Sequence, residues 1–301
     1  MDEQDFKILR ILCKNSRIPY ERLGAEVGLP AESVINRIYR MWDVGVLSEY
    51  RISVNPMIFG MMTAVVMAEA YRSSCKQKDI RALRTMERFT SIVESTGRHY
   101  SVSLLYRDDR DLKAQVDAVR AKIIPSRVVS VLKPHEHMPS SLNLTAQEWR
   151  IIEYLLDDPR ASVDKMSRDM DINLRTIERR LDRLISGSII TPTVVIQPGM
   201  FQGLTSFRLC ILFNGGGKDI FPSLSASIKN QWNIVKLDSP DGVIVDVHGV
   251  SKSDLVDQID AIKGMSGVKD ISYNLPSRVI SNDSLLKRKV IESIYCCDRS
   301  G

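Results

Sequence analysis

The chain repeats itself, and that one property limits its architecture more than any single residue does. Residues 1–60 align without a gap to residues 144–203 at a constant offset of 143. Gln4 falls on Gln147, Ile8 on Ile151, Leu12 on Leu155, Arg17 on Arg160, Arg37 on Arg180, Arg40 on Arg183, Met57 on Met200 and Gly60 on Gly203. The same offset returns when Asp111-Leu112-x-x-Gln115-Val116-Asp117 reappears as Asp254-Leu255-x-x-Gln258-Ile259-Asp260. Solenoid repeats run ~20–50 residues, so this period is a duplication of a whole unit. A unit of this length, itself split in two, implies four small domains and an internal pseudo-dimer.

The first part of each unit has the spacing of three short helices. Phe6, Ile8, Leu9 and Leu12 form an apolar stripe behind an acidic start, as the helix dipole favours. Leu23 and Val27 mark a second helix that Gly28 closes. Val34, Ile38 and Met41 lie on one face of a third, which Gly45 ends. The alternating Ser48–Val54 stretch suits a wing strand. This order predicts a winged helix-turn-helix, with the third helix sized for a DNA major groove. Its outward face carries Glu32, Ser33, Asn36, Arg37 and Arg40. Asn can pair with adenine, and Arg with guanine or phosphate. In the second copy the corresponding face shows Arg175, Thr176, Arg179, Arg180 and Arg183 and is plainly more basic. There Gly28 has become Asp171 and Gly45 has become Ser188. The two heads are therefore expected to read different sequences.

The second part of each unit has the order β-α-β-β-α-β, the ferredoxin-like plan. The first copy predicts strands at 63–71, 91–96, 100–106 and 128–132 and helices at 79–89 and 111–123. The second predicts strands at 205–213, 233–239, 243–249 and 268–275 and helices at 219–230 and 252–263. Two helices cover only one face of such a sheet, so the free faces of the two copies should pack together. The expected fold is α+β, two tandem units, each a winged helix-turn-helix followed by a ferredoxin-like βαββαβ sandwich domain. The expected bounds are 1–56, 60–138, 143–199 and 203–278, with a tail at 279–301.

Charge and cysteine content narrow the function classes. The net charge is +5, and the first 143 residues carry all of it, which permits a nucleic-acid partner without requiring one. Five unpaired cysteines with no ligand spacing argue against a disulfide framework or a metal site, and Cys13 and Cys210 sit in apolar runs. His135-Glu136-His137 offers two imidazoles, too few for a usual zinc site. No Gly-rich phosphate loop or Ser/His/Asp set is present. The reading is of a cytoplasmic protein with no cofactor, no metal and no membrane partner.

Taken together, several motifs resemble the leucine-responsive regulator/AsnC (Lrp/AsnC) family of transcription factors. They are Asp2-x-x-Asp5-x-Lys7-Ile8-Leu9, Arg17-Ile18-x-Tyr20-x-x-Leu23, Val27-Gly28-Leu29, Val34-x-x-Arg37-Ile38, Gly45-Val46-Leu47 and Asn55-Pro56…Gly60. The likeness covers about 1–135 well and about 144–276 more weakly. It implies a sequence-specific regulator binding double-stranded DNA, assembling as a homo-oligomer and answering to a small effector such as an amino acid. The family's effector turn resembles Gly97-Arg98-His99-Tyr100 here, with Asp241-Gly242 in the second copy. Departures are Ser101 where the family has Asp, the Pro240 turn, and the tandem fusion itself. Chains of the same build also resemble siroheme decarboxylases, for which Arg98, His99 and His248 would be the candidates for a tetrapyrrole pocket. A scaffold that has lost DNA binding is the third reading. In the tail, Lys287-Arg288-Lys289 is either a solvated helix end or a DNA-backbone contact.

Overall fold

The computed structural model describes residues 1–201, 205–228, 230–248 and 252–298. Gly203, where the second sandwich domain was expected to begin, lies outside them. The first head consists of α1 (Glu3–Lys14), α2 (Tyr20–Val27), α3 (Ala31–Asp43) and β1 (Leu47–Val54). Asp2 caps α1 in a reciprocal capping box with Asp5. Pro19 and Pro30 precede α2 and α3, where a fixed φ and a missing N–H cost nothing. Val34, Ile38 and Met41 close onto Phe6, Leu9, Leu12 and Leu23, as their spacing requires.

The first sandwich domain contains β2 (Met62–Glu69), α4 (Lys76–Leu83), β3 (Phe89–Ser95), β4 (His99–Tyr106), α5 (Asp109–Lys122) and β5 (Arg127–Pro134). Helix α4 ends earlier than the expected 79–89. Thr85 bonds back to Ala82 O, and Phe89 enters β3 opposite Leu104. Leu83, Met86 and Phe89 all reach one core, but from a helix, a turn and a strand in succession.

The second unit repeats the plan with α6 (Ala146–Asp157), α7 (Val163–Met170), α8 (Leu174–Ser186), β6 (Ile190–Ile196), β7 (Ser206–Phe213), α9 (Gly217–Ser227), β8 (Gln231–Ser239), β9 (Gly242–His248), α10 (Lys252–Lys263) and β10 (Val268–Asn274). Asp171 and Ser188 do adopt the left-handed region of the glycines they replace, with φ of 53° and 54° against 73° and 75° at Gly28 and Gly45. Beyond 274 the chain continues as β11 (Pro276–Ser281) and α11 (Ser284–Asp298). The expected tail is therefore structured over most of its length. Val290 and Ile294 of α11 enter the core of the second head.

The strand order is β10-β7-β9-β8-β5-β2-β4-β3-β11 in one nine-stranded sheet. Strands β10 and β11 occupy its two ends, yet a single residue separates them in the chain. The sheet must therefore curl until its ends nearly meet. The two domains exchange strands reciprocally. The end of β5 pairs with β8, Lys133 opposite Ser239, and its counterpart β11 pairs with β3, Pro276 opposite Ser95. On the helix-free faces, Val65, Met67 and Leu132 meet Cys210, Leu212, Val235, Leu237 and Ile244. The sandwich expected between the two copies thus forms, and shared sheet edges reinforce it.

Each wing strand finds its partner in the other head. β1 and β6 make a two-stranded antiparallel ribbon running from Leu47 opposite Ile196 to Val54 opposite Ile190. The ribbon sends Ile52 and Val54 into the core of the second head, and Val194 and Ile196 into that of the first. The heads are thus cross-stitched through their own hydrophobic cores.

Candidate nucleic-acid interface

In each head the third helix is held by a tight turn. At Gly24 an added Cβ would lie 2.5 Å from Leu29 O, so α2 can approach the turn only because that side chain is absent. The equivalent Ser167 of the second head sits at a looser turn, where its Oγ donates to Ile172 O at 2.7 Å.

On α3, Glu32, Asn36, Tyr39 and Arg40 are exposed, while Ser33 and Arg37 are half-buried. Arg37 does not reach outward. Its Nη1 donates to Asp2 at 2.7 Å and to Asp5 at 2.8 Å, and Arg40 Nη2 donates to Asp5 at 2.7 Å. Asp5 is fully buried, and the two guanidiniums compensate the buried carboxylate. Burial opposes ionisation of Asp2, but the Arg37 hydrogen bond and two backbone N–H donors prevail and hold its carboxyl below the ordinary range. The same contacts raise the Arg37 guanidinium.

The second head repeats this clamp more loosely. Arg180 Nη1 donates to Thr145 Oγ1 at 2.8 Å, while its buried Nε has no partner among the described residues. Arg183 Nη1 lies 3.0 Å from Glu148 Oε1, within ion-pair range but too poorly aligned for a hydrogen bond, so the buried Oε1 is left without one. Arg175 and Arg179 are exposed and form no ion pair among the described residues. Thr176 is half-buried beside them.

The pattern of spacing and charge had marked all six arginines as outward-facing. It missed the buried acids Asp5 and Glu148 as partners of three of them, although both lie one capping box from a helix start. It also missed Tyr39, 65% exposed in the middle of α3. A third omission is the bridge between the heads. Arg17 donates to Pro159 O at 2.8 Å and Ala161 O at 2.6 Å, and its duplicate Arg160 lies over the rings of Tyr20 and Tyr50 at 4.6 and 4.9 Å. The repeat itself was the available signal, since both arginines sit in the loop after the first helix of their head.

The residues of the expected effector turn do not gather into one pocket. Gly97, Arg98 and His99 are exposed on the β3–β4 hairpin, where Arg98 binds Glu69 and Tyr71 O. Tyr100 points inward, and its hydroxyl donates to Asp79 Oδ2 at 3.1 Å. In the other domain, Asp241 accepts from Gly217 N–H at the start of α9. Gly242 is packed so closely that a Cβ would stand 2.3 Å from Ile211 O. His248 lies at the far end of its strand from the hairpin, stacked on Phe6 with ring centroids 3.3 Å apart. Burial pushes its pKa down to about 4, against opposing pulls from the Asn230 backbone and Glu3.

Other candidates resolve into structural contacts. His135 pairs with Asp238 at 2.8 Å, and among the described residues no group of three potential metal ligands occurs. Cys210 and Cys13 are half-buried thiols, and burial pushes their pKa values to about 11 and about 12. Lys287 faces Asp157, Arg288 pairs with Glu87 and Lys289 lies over the Phe59 ring. This basic trio pins α11 to the protein. No helix among the described residues is long and apolar enough to cross a membrane.

Comparison with known proteins agrees with this geometry. Residues 1–41 match the AsnC-type helix-turn-helix domain, and residues 144–191 match a winged helix-turn-helix DNA-binding domain. An HTH-type transcriptional regulator of Pyrococcus horikoshii, PH0045, is 34% identical over 116 residues, covering 37% of this chain and 75% of its own length. The chain belongs to the Lrp/AsnC family. It is a DNA-binding transcriptional regulator with a winged head in each half. LrpA of the same organism is 25% identical over 141 residues, which is 99% of LrpA but only 44% of this chain. One LrpA therefore corresponds to less than half of this Lrp/AsnC protein, as a tandem unit requires. The siroheme decarboxylase NirDL shares the fold along the whole length, with 12% identity, coverage of 97% of this chain and 100% of that one, and a TM-score of 0.53.

Proposed function

We propose that this regulator reads an asymmetric, imperfectly palindromic operator, with the second head supplying most of the electrostatic grip. The carrying observation is that Arg175 and Arg179 are exposed on α8 and form no ion pair among the described residues, whereas Arg37 and Arg40 are bound to Asp5. Phosphate contacts give affinity through released counterions, and base-edge contacts give specificity. Arg175, Thr176 and Arg179 would contact phosphates and base edges on one half-site. Ser33 and Asn36 would read the other, with little charge behind them. Arg40 and Arg183 keep exposed donors that can reach phosphate beside their carboxylate partners. The β1–β6 ribbon and the Arg17 and Arg160 bridges favour a fixed spacing of the heads, and homo-oligomers would extend the contact along DNA. Effector control is part of this reading.

Selection of the purified protein on random double-stranded DNA tests it. Two unequal half-sites should be enriched. Arg175→Ala with Arg179→Ala should lower the slope of log affinity against log salt by about 2, at about 0.9 per lost phosphate contact. An unchanged slope would remove the second head from the interface. The fold shared with NirDL keeps a tetrapyrrole enzyme as the alternative. Exposed His99 and buried, neutral His248 lie at opposite strand ends and give that alternative little support. Enrichment of no DNA, together with a haem-like absorption band in the purified protein, would favour it.

A further inference from the structure

Between the β1–β6 ribbon and the curled sheet lies a cavity of about 460 Å³ lined by residues of both halves. That volume suits a small metabolite. Its lining mixes apolar side chains with charged and hydroxyl groups that a core would exclude. Arg208 of β7 and Asp246 of β9 form a closed pair there, Nε to Oδ1 at 2.7 Å and Nη2 to Oδ2 at 3.0 Å. Asn233 adds a bond to the same carboxylate at 2.9 Å. Asp246 is thus neutralised and its oxygens are occupied.

One charged group in the lining is left over. Arg51 of the ribbon is half-buried and makes no side-chain hydrogen bond or ion pair among the described residues. Beside it lies the buried ring of Trp232, also part of the lining. Asp246 is the only carboxylate among the lining residues described, so the cavity carries one uncompensated positive charge. A half-buried guanidinium without a partner costs free energy that a suitable ligand would recover.

We propose that this cavity binds a small organic monocarboxylate lacking an ammonium group, such as a 2-oxo acid. A planar guanidinium matches a carboxylate with two parallel hydrogen bonds. A single free cation balances one negative charge, so a phosphate dianion would leave one charge unmatched. An α-ammonium group would find no free carboxylate, because Asp246 is already paired. The ribbon carrying Arg51 is threaded through the cores of both heads, so a ligand that braces it would also bias how the heads are presented. That last step rests on the DNA-binding reading; occupancy of the cavity does not.

The test measures binding without DNA. Pyruvate, α-ketoisocaproate and phenylpyruvate are titrated by calorimetry and thermal shift, each beside its amino-acid counterpart alanine, leucine or phenylalanine. At least one oxo acid should raise the Tm and bind at least tenfold tighter than its counterpart. It should also shift a tryptophan emission that disappears in Trp232→Phe. Arg51→Met should weaken binding at least tenfold, and Arg51→Lys should restore part of it. Ser103→Leu, which fills the cavity and leaves its charge alone, should block binding as well, so the outcome does not depend on one variant folding. Binding of none of the oxo acids, tighter binding of the amino acids, or affinity unchanged in both Arg51→Met and Ser103→Leu would overturn the proposal. If binding holds while operator affinity stays the same with and without ligand, only the coupling to the heads fails.

Discussion

The two heads share a plan and differ in how firmly they hold their own arginines. In the first, Asp5 collects Arg37 and Arg40 in well-aligned bonds. In the second, Glu148 meets Arg183 off-axis, and Arg180 turns instead to Thr145. Both acids are buried at the third position of a capping box. The lesson is that a surface arginine is not automatically available to DNA. A buried carboxylate one helix away can take the charge first, and small differences in alignment decide how much remains. The heads also lean on different supports. His248, Phe201 and Trp232 of the body pack against the first head, whereas α11 completes the second.

The largest expected break in this comparison comes from the buried acids. Asp5→Ala removes one side of a capping box, leaves Arg40 without its partner and Arg37 with Asp2 alone, and should cost about 3 kcal/mol in urea unfolding. Glu148→Ala also removes one side of a capping box but breaks only a misaligned ion pair, and should cost about 2 kcal/mol. Equal losses would show that the two clamps are energetically alike.

A smaller effect should separate the heads by pH. Neutral His248 is stacked on Phe6, with its folded pKa near 4 against an ordinary value of 6.5. Between those values the unfolded chain binds a proton that the folded chain refuses, so stability is lost as pH falls through that window. Hydrogen exchange should show α1 losing protection before α6 does. His248→Phe should flatten the difference, and a first head insensitive to pH would refute the contact's role.

The smallest effect tests the backbone. Ser188 holds φ of 54° where the first head has Gly45. Ser188→Gly should stabilise the second head by about 1 kcal/mol, measured as a rise in denaturant midpoint. A loss of stability would mean that the serine side chain contributes more than its strain costs.

Local periodicity was enough to place most elements. The stripe Val34, Ile38, Met41 and its repeat Ile177, Leu181, Leu184 defined both third helices, because a helix buries one face at a fixed interval. The same spacing misled at Leu83, Met86 and Phe89, where three elements share a core and imitate one helix. The candidate site was legible in part. Arg175 and Arg179 are as free as their positions suggested, while the sequence distance of 32 residues between Asp5 and Arg37 hid the contact that occupies the latter.

The sequence by itself determined that there are two units, that each has a three-helix head and a βαββαβ sheet, and which faces are buried. Duplication and periodicity are local records of burial, and burial follows from side-chain polarity. Tertiary structure alone decided that each wing strand pairs with the other, that β5 and β11 cross between domains, which arginines stay free, and that Arg51 lines a cavity between the ribbon and the sheet. Those outcomes depend on contacts between residues far apart in the chain, where geometry selects among partners that are chemically equivalent in the sequence.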